Sequence, residues 1–200
     1  MSAGLTWREV INDWCEGAHG AAPKGWPKPL GDFWEAGGAA ALSRQNQFQA
    51  PEGEDGYSVF YVENQHVCRW AYRTGDAAED PEVHVRDRQA PNFGWVPVGC
   101  RLNAFLSAAA VTEIALGAPI GRAAEGPTRY ADEVIGLDCV QLPELGWPRG
   151  VTTSYYKGPD VLAFAQDEDG YSFAFIGARR VEALREIDER IEASPYWEFD

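Results

Sequence analysis

Residues 59–85 read VFYVENQHVCRWAYRTGDAAEDPEVHV, and the alternation inside this stretch decides the fold class. Tyr57 to Val62 is rich in β-branched and aromatic residues. Cys68, Trp70 and Tyr72 then alternate with Arg69, Ala71 and Arg73. A period of two puts one set of side chains on a buried face and the other toward water. Val83 and Val85 repeat the pattern against Glu82, His84 and Arg86. Three strands this close in sequence are expected to pair as an antiparallel meander.

The breaks between these strands carry polar residues suited to turns. Asn64 tolerates left-handed backbone angles and can close a turn with its side chain. Glu63 and Gln65 can accept from and donate to the turn backbone. Pro81 restricts Asp80 to extended angles, which leaves the Asp80 carboxylate to cap nearby N–H groups.

Working outward, Thr6 and Glu9 have the spacing of a capping box, followed by Trp7, Val10, Ile11 and Trp14 on one helical face. Gly17 and Gly20 are expected to end that helix. AAPKGWPKPLG (21–31) is an extended connection, and LGDFWEAGG (30–38) a short helix stopped by Gly37 and Gly38. Arg101 to Leu116 reads as a helix with Leu102, Phe105, Leu106 and Ala109 on one side, ended by Gly117 and Pro119. The glycines and prolines of 117–129 (GAPIGRAAEGPTR) predict a loop that divides the chain into two lobes. DVLAFAQ and YSFAFIG flank DEDG (167–170) as a hairpin, with Gly170 at positive φ. A last helix is expected from about Ala178, burying Val181, Leu184, Ile187 and Ile191 and pairing Glu186 with Arg190. Helices, strands, a helix, strands and a helix in that order predict an α+β fold, with an antiparallel sheet packed against helices in one domain spanning 1–200.

The chain has 200 residues and a formal net charge of −14. Such acidity argues against a surface built to neutralise phosphates or anionic lipid, so neither nucleic acid nor membrane is an expected partner. It suits a basic protein partner drawn in by long-range attraction. Cys15, Cys68, Cys100 and Cys139 form no CxxC or zinc-spaced pair, and are expected to be reduced and mostly buried. MSAGLTWREVINDW lacks the basic start and apolar run of a signal peptide. No stretch reaches the length of a membrane span, and a cytoplasmic protein is expected.

Three chemistries compete with a binding role. Cys139 or Cys68 could pair with His84 or His66, with Asp80 orienting the ring, as in a thiol hydrolase. Glu79, Asp80, Glu82, His84 and Asp87 offer metal-ligand types, with Glu82 and His84 on one face of a strand. Arg69, Arg73, Arg86 and Arg88 could make a basic platform beside aromatic rings. GxGxxG, P-loop, GxSxG and HExxH motifs do not occur. No cofactor is expected.

Glu63, Asn64 and Gln65 closing a strand, Trp70 on the next, then Asp80, Pro81 and Val83, form an ordered set that resembles the signature of the SUKH superfamily. This group is related to the yeast regulator of cell-wall glucan synthesis and is abundant among bacterial immunity proteins. Phe105–Leu106 in a helix and the short helix around Phe33–Trp34 also fit. The resemblance is best over residues 29–116, with weaker support from the hairpin and helix at 150–192. His66 stands where the pattern has Gly. The resemblance implies a non-enzymatic α+β protein that protects a bacterium by binding a polymorphic toxin, often a nuclease. It also implies that the seven signature residues hold the fold. Partner contacts are then expected on the acidic loops, at Glu54, Asp55, Asp76, Glu79, Asp167, Glu168 and Asp169. The alternative within the same fold is a regulatory or scaffold protein without a toxin partner.

Overall fold

The computed structural model describes residues 5–15, 20–43, 45–89, 94–146 and 151–200. Gly17, expected to help end the first helix, lies outside them. The first sheet runs β1 (Gln47–Glu54), β2 (Tyr57–Val62), β3 (Cys68–Arg73), β4 (Glu82–Asp87) and β5 (Val96–Arg101), each strand beside its sequence neighbour. All its pairings are antiparallel, so the meander over residues 57–87 is as expected. β1 and β5 extend it on either side. β1 shifts register between Phe48 and Glu52, around Pro51, a residue that only an edge strand or a bulge tolerates. A second shift between Val59 and Tyr61 breaks strict alternation. It lets the adjacent Phe60 and Tyr61 both enter the core.

The second sheet has the order β11-β6-β10-β9-β8-β7, again antiparallel throughout. Its strands are β6 (Ile120–Pro127), β7 (Asp138–Val140), β8 (Thr152–Gly158), β9 (Val161–Glu168), β10 (Tyr171–Ala178) and β11 (Glu198–Phe199). The loop expected over 117–129 is therefore wrong. One of its glycines serves close packing: a Cβ on Gly126 would stand 2.5 Å from the Trp197 indole. The β9–β10 hairpin is as expected, with φ of 55° at Asp169 and 83° at Gly170. Asp55 and Gly56 repeat the same turn, at 49° and 82°, between β1 and β2. Positive φ at both central residues matches the twist of the flanking strands.

The helices are α1 (Trp7–Trp14), α2 (Lys28–Glu35), α3 (Gly38–Leu42), α4 (Leu102–Gly117), α5 (Ala131–Ile135) and α6 (Arg185–Ala193). The Thr6–Glu9 capping box forms at α1. Gly38 does not stop a helix but opens α3. α6 begins later than expected, because Ala178 closes β10 and Val181–Leu184 form a 3-10 turn. Val181 is exposed in that turn, while Leu184, Ile187 and Ile191 are buried.

α4 organises the molecule. Every residue from Phe105 to Ala115 is buried. A helix covered on all sides needs neighbours on all sides. The main core joins Phe60, Trp70 and Val85 of the first sheet to Phe105, Leu106 and Val111 of α4, and to Tyr155, Leu162 and Phe164 of the second. The other face of the second sheet packs on α5, α6 and Trp197 in a separate core. α4 meets β10 at Gly177, where a Cβ would stand 2.6 Å from the Ile114 carbonyl oxygen. Among the described residues no helix is long and apolar enough to cross a membrane. None of the four cysteines is in a disulfide, but only Cys68 is fully buried and Cys139 is exposed.

Candidate binding surface

The signature residues are placed first by their hydrogen bonds. Arg101 occupies the N-cap position of α4, whose first turn has no side-chain cap from within the helix. Asp80 supplies one from the β3–β4 connection. Its Oδ1 accepts the Asn103 N–H at 2.9 Å, and the Pro81 carbonyl accepts the Leu102 N–H at 2.9 Å. The Arg101 guanidinium donates back to the Asp80 carbonyl at 2.8 Å. A carboxylate at a helix N-terminus meets both free donors and the positive end of the helix dipole.

The Glu63–Gln65 turn serves the other end of the same helix. Glu63 Oε2 accepts the Val67 N–H at 3.0 Å, and the Glu63 carbonyl accepts the His66 N–H at 2.8 Å. The left-handed residue of the turn is His66, with φ of 61°, not Asn64. That is where the resembled pattern has Gly. Asn64 instead donates its backbone N–H to Asn46 Oδ1 at 3.3 Å. Asn46 Nδ2 donates to Glu113 Oε1 at 2.7 Å, and the Tyr61 hydroxyl donates to the same oxygen at 2.6 Å. The backbone N–H groups of Gln45 and Asn46 also point at the Glu113 carboxylate. Burial pushes the Glu113 carboxyl above its ordinary range, against the lowering effect of these donors. Burial, then the Glu113 charge, raises the Tyr61 hydroxyl. Gln65 is exposed. Trp70 and Val83 are core residues, and the Trp70 indole N–H reaches the Leu145 carbonyl at 2.5 Å.

Asn46 and Glu113 were missed from the sequence. The signal was a glutamate inside the apolar run LNAFLSAAAVTEIALG.

The candidate chemistries do not assemble. Cys68 packs on the core face of the first sheet, Asp80 is engaged at α4, and His66 sits at the β2–β3 turn. Cys139 lies on the second sheet. Burial, then Asp80 and Glu82, pushes the Cys100 thiol up to about 12, which disfavours the thiolate. Among the described residues, no three His, Cys, Asp or Glu side chains are grouped so as to hold a metal ion. Arg69 and Arg86 are both tied to Glu54, at 2.5 and 2.8 Å, and Arg86 also reaches Asp55 at 2.7 Å.

The acidic loops differ in what their carboxylates do. Glu54 and Asp55 are held by those arginines, so the 53–56 loop is largely neutralised. Asp167 Oδ1 accepts the Gly170 N–H at 3.1 Å within its own turn. Glu168 and Asp169 are exposed. The β3–β4 loop is different, because it forms a ridge between two clefts. One, of about 510 Å³, is walled by Trp26, Lys28 and Tyr72 on one side and Asp76 and Glu79 on the other. The second, of about 560 Å³, runs from Arg73 and Asp76 to Glu82 and His84. Asp76 closes the ridge on itself by accepting the Ala78 N–H at 2.9 Å. Glu79 and Glu82 are exposed beside it. His84 stacks edge-on against Tyr57 at 5.0 Å, and Tyr57 lies flat on Trp95 at 5.0 Å.

Comparison of the chain with known family models, curated proteins and solved structures found no match to any of them.

Proposed function

We propose that this chain is a non-enzymatic protein-binding domain that acts as a cytoplasmic immunity protein, occluding a basic toxin domain such as a nuclease. The reading rests on one observation above the others: the two carboxylates of the resembled signature, Asp80 and Glu63, are engaged in cap and turn hydrogen bonds within the fold. Asp80 caps α4 directly, the Asn64 backbone reaches it through Asn46, and Glu63 closes its own turn. None of them faces an open cleft with His84. What remains for function is surface, on a chain whose formal net charge is −14. A negative face raises the rate at which a basic partner arrives and suppresses acidic competitors.

The acidic face of Asp76, Glu79 and Glu82 is one such surface, beside clefts of about 510 and 560 Å³. The test is copurification of this chain with basic proteins encoded beside its gene, followed by association kinetics at several salt concentrations. Reversing Asp76, Glu79 and Glu82 to lysine is expected to slow association by roughly tenfold and flatten its salt dependence. Failure of every neighbouring protein to bind would favour the regulatory or scaffold role. Unchanged kinetics on charge reversal would remove the ridge from the interface.

A further inference from the structure

Two exposed rings stand together on the second sheet. On β10, Phe175 and Gly177 face the main core, Phe175 stacking on Phe164 at 5.1 Å and Gly177 meeting α4. Phe173 and Tyr171 continue the same face, since alternate residues of a strand share a side. They are 41% and 38% exposed, and their rings meet edge to face at 5.7 Å. Strand register then decides what surrounds them. Glu125 of β6 lies opposite Phe173, Glu198 of β11 opposite Glu125, and Glu168 of β9 opposite Tyr171.

Residues paired across strands share a face, and like charges placed directly opposite repel. Glu125 and Glu198 form such a pair. Among the described residues, none of Glu125, Glu168 and Glu198 is in an ion pair. The Tyr171 hydroxyl donates to Glu125 Oε1 at 3.5 Å. The patch is therefore apolar at its centre and uncompensated at its rim. A cation seated over the rings would gain attraction from both π faces and carboxylates, and would relieve the Glu125–Glu198 repulsion.

We propose that the Tyr171–Phe173 patch, framed by Glu125, Glu168 and Glu198, is a docking site for an arginine- or lysine-bearing segment of a protein partner. This rests on the binding role above and assigns it a second contact region. The patch presents two exposed aromatic rings of the kind that anchor protein interfaces. The acidic tip at Asp167–Asp169 borders it in sequence.

The full-length protein is titrated with an oligo-arginine peptide and followed by residue-resolved NMR. Saturable shifts are expected at Glu125, Tyr171, Phe173 and Glu198. Phe173→Ala should weaken the peptide about threefold, and Glu125→Lys more, without loss of the folded spectrum. Glu125→Gln serves as the gentler variant if the reversal disturbs the sheet. Shifts centred on Asp76–Glu82 instead, or affinity unchanged in the variants, would overturn the assignment. Concentration-dependent self-association blocked by Phe173→Ala would also overturn it, because the occupant would then be a second copy. The peptide carries no toxin, so a failure here leaves the immunity role to the copurification result. Absence of a toxin partner likewise leaves this patch standing.

Discussion

Asp80 accepts the backbone N–H of Asn103, and through that bond a residue of the β3–β4 connection caps a helix that cannot cap itself. Loss of a side-chain cap costs about 1 kcal/mol. Asp80→Ala is expected to lower unfolding free energy by about that amount in a urea titration, whereas Asp80→Asn retains most of it, since Asn caps nearly as well. Equal losses in both variants would show that charge, not the cap, was the contribution.

Glu113 gathers donors from Tyr61, Asn46 and Gln45 around one buried carboxyl. Glu113→Ala strands those donors away from water and is expected to cost about 3 kcal/mol.

The same group sets a pH dependence. Burial raises the folded carboxyl above its unfolded value, so the folded chain keeps the proton to higher pH. The stability this adds is complete below about pH 4, the ordinary carboxyl range, and is lost as pH rises through the raised folded value. Glu113→Gln has no proton to lose. The stability of the parent relative to that variant should therefore fall with rising pH in parallel denaturant titrations. A rise would contradict the burial argument.

Gly177 lies where α4 presses on β10, 2.6 Å from the Ile114 carbonyl for an added Cβ. Backbone cannot step aside as a flexible side chain would. Gly177→Ala is expected to cost about 2 kcal/mol, in the range of an overpacked core. Gly53→Ala meets nothing within 4 Å and serves as the neutral control in the same thermal melts.

His66 holds a φ of 61° in the β2–β3 turn. A residue with a Cβ is strained there and glycine is not. His66→Gly should stabilise by about 1 kcal/mol, less the entropy that glycine returns to the unfolded chain. His66→Val should do the opposite.

The sequence made some of these relationships legible and hid others for physical reasons. β3 and β4 were readable from their period of two, and β2 from its run of β-branched and aromatic residues. β1 and β6 were not, because Pro51 and the glycines of 120–127 look like breakers. An edge position tolerates the first, and close contact with Trp197 employs one of the second. α4 was found, but with one buried side instead of all of them. Its neighbours on the far side include the β9–β10 hairpin, which is legible as strands but has nothing local to show that it packs on this helix. Asp80 acts as a cap and Glu63 as a turn acceptor, but the left-handed position falls to His66 and not Asn64, and the link from both turns to α4 was invisible. The bond between Asn46 and Glu113 spans 67 positions, and no local pattern announces it. The acidic loops looked alike as strings. Only their partners separate Glu54, held by two arginines, from Glu79, which faces water.

The complete enclosure of α4 also has a consequence during synthesis. The ribosome releases the first sheet and this helix well before β8, β9 and β10, which cover the helix on its other side. At ordinary elongation rates of about 5–20 residues per second, a sticky apolar flank stays uncovered for seconds on every nascent chain. Chaperone occupancy should therefore peak in that interval and end once β10 has emerged.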